Sequence, residues 1–321
     1  MIKYFYGEDT YSVSAVTTKI VADFVAGQQS DLNVNKIEAV NLTLENFTDA
    51  TLSAPFLGDK KLTIVKNLII EKDAADLRKK LIPYLDKLPA TSDILFIDNG
   101  KPDARDALYK YLLKNAKCKY YAPVDDMTLR RFITAKTAEL NIAISNPAMA
   151  KLSLFVGPDL WRLQNEILKL SAYIVAESRV EIIPEDIDLL VEPNINLKIF
   201  DLTDALATRN SARAIQLLNA FIQNNEDLMM VFNLVIYQFR NMLVIKDLLE
   251  RREKNITKTA SLHPFVVQKT IQSLRKISFE ELASFYQQLE EMDFALKSSR
   301  IEIENALVLL FVDFCKSDKM N

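Results

Sequence analysis

The residues best placed to do chemistry come first in the chain, where the apolar run Ile2-Lys3-Tyr4-Phe5-Tyr6-Gly7 leads into Glu8-Asp9-Thr10-Tyr11. In a nucleotide-binding α/β domain, the turn after the first strand holds phosphate. Several glycines let backbone N–H groups crowd an anion, a lysine reaches the terminal phosphates and a Ser or Thr hydroxyl meets magnesium. Here a single glycine precedes two carboxylates and no lysine joins them, a set that repels a triphosphate. The chain reads as the frame of a nucleotide machine without its phosphate loop.

Other reactive types fail in the same way. A hydrolase of this topology holds its acidic magnesium and water-activating pair at the end of the third strand, but the third apolar run ends Ile64-Val65-Lys66-Asn67. The fourth, Asp93 to Ile97, ends in Asp98 and superficially matches a magnesium-binding strand. Asn99-Gly100 follows, so Asp98 reads instead as a turn residue before a helix near 103. The lone histidine, His263, precedes Pro264 and reads as a cap before a Pro-initiated helix, so no histidine triad or multi-histidine metal site can be built. Cys118 and Cys315 are far apart with no paired spacing, which indicates neither a disulfide nor a zinc site. Glu280-Glu281 and Glu290-Glu291 fall on amphipathic segments and read as solvated faces. No catalytic residue, metal or cofactor is expected.

The elements that carry these residues change character along the chain. Strand patterns at 2–6, 36–40, 62–66, 93–97 and 117–121 alternate with helical patterns near 11–26, 44–53, 75–87 and 103–115, which implies a parallel sheet covered on both faces. Beyond Pro123 the pattern is helical throughout. Gly157-Pro158-Asp159 forms a strong turn and caps the next helix, and the polar stretch 192–196 marks a boundary. Over 227–252, apolar residues at 228, 232, 235, 239 and 242 form one stripe, either a bundle core or a partner groove.

With 321 residues, 49% of them hydrophobic, two or three domains are expected. The longest apolar run, Ala306 to Val312, falls well short of a membrane span, and Glu8 and Asp9 interrupt any signal peptide, so a cytoplasmic protein with no membrane contact is predicted. A net charge of −3 argues against nucleic-acid binding through a bulk basic field, though local patches remain open.

The stretch Leu52-Ser53-Ala54-Pro55-Phe56-Leu57-Gly58-Asp59-Lys60-Lys61 joins a helix to the third strand. Connections lie on the surface. Phe56 and Leu57 are therefore either tucked onto the local core or exposed as an anchor for a partner pocket.

At this point the order and spacing of several blocks become recognisable: Tyr4 to Tyr11, Ser53 to Leu62, Pro83 to Pro89, Gly157 to Leu160 with Glu166 to Leu170, Ile199 to Leu206, Gln238-Phe239-Arg240, His263 to Val267 and Asp293 to Ser298. Together they resemble the delta subunit family of the bacterial DNA polymerase III clamp loader over essentially the whole length. The resemblance implies an ATPase-like (AAA+) α/β domain without a nucleotide site over 1–140, a small helical lid over 141–205 and a helical collar over 206–321. It further implies a non-catalytic subunit of the DNA polymerase holoenzyme that binds the β sliding clamp and holds its ring open. Implied partners are the gamma/tau motor subunits, delta prime, and primer-template DNA through the assembled complex. The family's clamp-binding element falls on Leu52, Pro55, Phe56 and Leu57, with Phe56 as anchor. Family members often present two or three bulky apolar residues there, whereas Ser53, Ala54 and Pro55 precede the aromatic here. Two alternatives are a nucleotide-binding enzyme with a divergent phosphate site, and a DNA-binding adaptor using Arg240, Lys246, Arg251, Arg252 and Lys254. The four-cysteine module and Ser-Arg-Cys motif of the sister loader subunits are missing from the sequence.

Overall fold

The computed structural model describes residues 1–28, 30–56, 58–260, 262, 264–298 and 301–316, in two compact units, 1–191 and 192–321. In the first unit β1 (Ile2–Gly7), α1 (Thr10–Gln28), β2 (Val34–Glu38), α2 (Leu44–Leu52), β3 (Lys61–Lys66), α3 (Ala75–Leu85), β4 (Ser92–Asn99), α4 (Ala107–Asn115) and β5 (Lys117–Tyr121) alternate. The strands form one parallel sheet in the order β2-β3-β4-β1-β5, with Tyr4 opposite Phe96 and Ile64 opposite Leu95.

Because side chains alternate across a strand, each central strand feeds two cores. Tyr4, Val65, Ile94 and Phe96 pack with Phe47, Leu81, Leu108 and Leu112 on one face. Phe5, Leu62, Ile64, Leu95 and Ile97 meet Val13 and Val16 of α1 on the other. Two elements differ from the sequence pattern. Strand β2 ends at Glu38 because Ala39–Asn41 turn as a short 3-10 helix. Helix α4 starts at 107, not 103, because Asp106 caps it by accepting the Tyr109 N–H at 3.0 Å.

The remainder of the first unit is α5 (Asp126–Glu139), β6 (Ala143–Ile144), α6 (Asn146–Val156), α7 (Leu160–Ala176), β7 (Glu181–Ile182) and α8 (Pro184–Leu190). Ile133, Leu152, Leu163, Ile167, Leu170 and Ile174 form its core. Asp125, Ser145 and Asp159 cap α5, α6 and α7. Strands β6 and β7 are parallel and two residues long, too short for any alternation to be visible in sequence. Tyr11, at the start of α1, joins this bundle to the sheet: its ring packs edge-on against Phe132 and Trp161, both at 5.0 Å between centroids, and its hydroxyl donates to Gln164.

The second unit contains α9 (Ile195–Ala207), α10 (Ser211–Gln223), α11 (Leu228–Glu250), α12 (Ile256–Ala260), α13 (Pro264–Ser273), α14 (Phe279–Lys297) and α15 (Ile303–Lys316). Phe232, Val235, Phe239 and Met242 of α11 are fully buried, so the stripe along this helix is bundle core. By length and composition alone α11 could cross a membrane; its apolar stripe is instead spent on the core it shares with Phe285, Phe311 and Phe314. Ile199, Leu202 and Leu206 of α9 belong to the same core.

Candidate partner-binding site

The connection after α2 is built from its two ends inward. Thr43 and Asn46 form a capping box that starts α2. At the other end the ammonium of Lys61, buried in β3, donates to the Asp49 carbonyl at 3.1 Å and to Ser53 Oγ at 2.6 Å, while Thr63 Oγ1 donates to the Ala50 carbonyl at 2.9 Å. These donors satisfy carbonyls that the last turn leaves open, and the cation complements the negative helix end. Desolvation pulls the Lys61 pKa below the ordinary lysine value, opposed by the charge of Asp49.

Beyond Ser53 the chain is held from behind by the α1–β2 connection. The carboxamide of Asn33, only 2% exposed, makes a reciprocal pair with the Phe56 backbone: Phe56 N–H donates to Asn33 Oδ1 at 2.7 Å, and Asn33 Nδ2 donates to the Phe56 carbonyl at 2.7 Å. Gln28 Oε1 accepts from the N–H groups of Asp59 and Lys60 at 3.0 and 3.2 Å. A Cβ on Gly58 would lie 3.0 Å from Gln28 Oε1 and 3.1 Å from Asn33 Nδ2, so the glycine lets the loop settle onto both amides. On this tethered backbone the Phe56 residue is 62% exposed, and Leu32, next to Asn33, is 65% exposed. Leu52 and Pro55 are half-buried; Leu57, like His263, lies outside the described residues.

The turn after β1 is closed by the protein itself. The N–H groups of Glu8 and Asp9, which a phosphate would use, both donate to the Tyr121 carbonyl, at 3.0 and 3.4 Å. Asp9 accepts the Ser12 N–H at 2.9 Å, placing a carboxylate at the helix terminus where an anion would bind. Gly7 serves this closure: at φ +139° a Cβ would fall 1.9 Å from the Tyr121 oxygen.

Asp98 is not the surface turn residue that Asn99-Gly100 suggests. It is 1% exposed, and its Oδ1 accepts the N–H groups of Ile69 and Ile70 at 2.9 and 3.3 Å, fixing the loop after β3. Burial pushes its pKa up, against the pull of those donors and of Arg78. Arg78 is itself committed to Asp106 at 2.8 Å and to the Leu68 carbonyl. Of the basic residues on α11 and just beyond it, Lys246 donates to the Ile277 carbonyl at 3.1 Å and Arg251 pairs with Asp247 at 2.9 Å. Among the described residues no cluster of three or more metal-ligating side chains occurs.

A family model described as "DNA polymerase III, delta subunit" matches residues 4–121, and one described as "DNA polymerase III delta subunit, C-terminal domain" matches residues 196–314. The chain belongs to the DNA polymerase III delta subunit family. A Bacillus subtilis (strain 168) protein named DNA polymerase III subunit delta is 26% identical over 98% of this chain and 93% of that protein. The solved structure of the Bacillus subtilis DNA clamp loader delta protein (YqeN), 24% identical, superposes with a TM-score of 0.60 over 98% of this chain and 95% of that one. The Thermotoga maritima RuvB Holliday junction branch migration motor is more distant, with a TM-score of 0.43 at 8% identity over 62% of this chain and 66% of that one. The likeness to that solved delta structure is one of fold, a five-stranded parallel sheet with helices followed by an all-helical part. In this delta-family chain Leu52 ends α2 and Pro55 and Phe56 lie on the connection that follows it, whereas Asn33, Gln28 and Lys61, which hold it, had no signal in sequence. A carboxamide that bonds a backbone 23 residues away leaves no period to detect.

Proposed function

We propose that this delta-family chain binds the β sliding clamp through the connection of Leu52, Pro55, Phe56 and Leu57 and holds the ring open for loading onto primed DNA. The observation that carries this reading is Phe56: a large aromatic, 62% exposed, on a loop whose backbone is hydrogen-bonded in place. Such a residue gives the fold little and offers a partner pocket a rigid apolar anchor. Holding a ring open requires tighter binding to the open or distorted clamp than to the closed one, because a ligand shifts an equilibrium only by its differential affinity.

No catalysis is assigned to the chain. The closed turn at Glu8-Asp9 and the packing of Tyr11 against Trp161 support a subunit that takes no nucleotide. In this reading 1–140 is the clamp-binding AAA+-like part, 141–205 the lid and 206–321 the collar that joins the gamma/tau and delta prime subunits, with primer-template DNA reached through the complex. The test uses a sliding clamp carrying a self-quenching fluorophore pair across its subunit interface. Stoichiometric addition of the intact chain is expected to relieve the quenching without ATP. Capture of the clamp with no change in quenching would refute ring opening, and no capture would refute the clamp contact itself.

A further inference from the structure

The loop that presents Phe56 has no regular secondary structure, yet its backbone is fixed at the anchor by one side chain from a different connection. Asn33 lies at the entry to β2 and is nearly fully buried, with its carboxamide turned to Phe56. Its own backbone is locked as well, because its carbonyl accepts the Leu62 N–H at 2.8 Å at the start of β3. Both hydrogen-bonding groups of the Phe56 main chain are thereby referenced to the sheet, a two-point attachment that restrains rotation about the anchor's Cα. Asparagine suits this task because the same planar group supplies an acceptor and a donor. Aspartate would set an oxygen against the Phe56 carbonyl, and alanine would leave both groups to water.

We infer that Asn33 is the positioning residue of the clamp anchor: it touches no partner, and it holds Phe56 pre-organised so that the ordering cost of docking is met before the clamp arrives. The inference rests on Phe56 being the anchor. Pre-organisation lowers the entropy lost on binding, which for one loop and one aromatic side chain is expected to be a several-fold effect on affinity.

The experiment is a double-mutant cycle on the full chain, read as dissociation constants for immobilised β sliding clamp by surface plasmon resonance. Asn33→Ala is expected to weaken binding about 5–10-fold in the presence of Phe56 and less than about 2-fold when combined with Phe56→Ala, because its effect travels through that ring. A structural loss of stability would not produce this dependence on Phe56. If Phe56→Ala weakens binding but Asn33→Ala does not, or if Asn33→Ala costs the same in both backgrounds, the positioning role is overturned while the anchor stands. If Phe56→Ala binds as the unmodified chain does, anchor and positioning role both fall. A second measurement does not depend on any variant folding. In the unmodified chain, residue-resolved hydrogen exchange is expected to show the Phe56 amide protected although its residue is largely exposed, and free exchange at that amide would overturn the inference.

Discussion

Replacing Phe56 by alanine separates an anchor from a core residue, and the structure sets the size of both effects. A phenylalanine buries on the order of 200 Å² when fully covered. With 62% of the residue open, ~125 Å² is left for a partner to cover, which at ~25 cal/mol per Å² corresponds to about 3 kcal/mol of binding. That is a weakening of the clamp complex by about 100-fold or somewhat more. The area already covered, ~75 Å², caps the folding loss at about 2 kcal/mol by the same coefficient, and the backbone share of that area survives in alanine. At about 2–4 °C per kcal/mol for a unit of this size, the melting temperature should fall by no more than about 8 °C. Differential scanning fluorimetry and surface plasmon resonance on immobilised clamp read the two quantities. A fall of about 10 °C or more, the mark of a core deletion costing about 3–5 kcal/mol, with unchanged affinity at a temperature where the variant is folded, would refute the reasoning and move the clamp contact elsewhere.

Gly7→Ala forces a methyl group into the Tyr121 carbonyl. Strain of about 1–3 kcal/mol and about 1 kcal/mol for each Glu8 and Asp9 hydrogen bond displaced give an expected loss near 3 kcal/mol or more in urea unfolding; a loss below about 1 kcal/mol would show that the turn adapts. Two carboxyls should give pH dependences of opposite sign. Glu281 is held down to about 2 by the Ser278 N–H and Arg209, so the stability it adds is present above its unfolded pKa and disappears as pH falls toward about 2. The destabilisation caused by Glu281→Gln should therefore shrink on acidification. Asp98 is pushed up by burial, so its effect on the fold is most favourable in acid and is lost as pH rises through its folded pKa. Asp98→Asn should accordingly raise the melting temperature more at pH 8 than at pH 4, and the reverse ordering would contradict the assigned direction. A chain ending at Val191, where the compact units part, should still capture the clamp and fail to join the other loader subunits; co-purification with the motor subunits would refute the collar assignment.

The parallel sheet was legible because β3 and β4 are apolar on both faces and helical periods separate them, a pattern that few other arrangements bury. The α4 boundary was not, since Asp103 and Asp106 are equally good caps on paper and the fold selects one of them through the Arg78–Asp106 pair. Asp98 misled for a related reason: an acid before Asn-Gly looks like a turn, and its burial depends on two amides from a distant loop. For the candidate site, the segment around Phe56 was visible as an irregular connection. Its exposure was not, because tucked and displayed phenylalanines obey the same local pattern, and Asn33 and Lys61 become meaningful only when α2 and the start of β2 are set beside the start of β3.

Arg209 sits in the turn between α9 and α10, yet its guanidinium lies 3.8 Å over the Phe314 ring, donates to the Phe314 carbonyl and pairs with Glu281 at 2.8 Å. Thus the first two helices of the second unit are completed by α14 and α15, whose contacts with Arg209 lie 72 and 105 residues downstream. During synthesis, at ~5–20 residues per second, the first unit has all of its sequence by Val191, while α9 and α10 wait for α15 to emerge before their core can close. The nascent chain therefore completes the loop that displays Phe56 several seconds before the core of the second unit can close, and in that interval the apolar faces of α9 to α11 lack the α14 and α15 side chains that cover them.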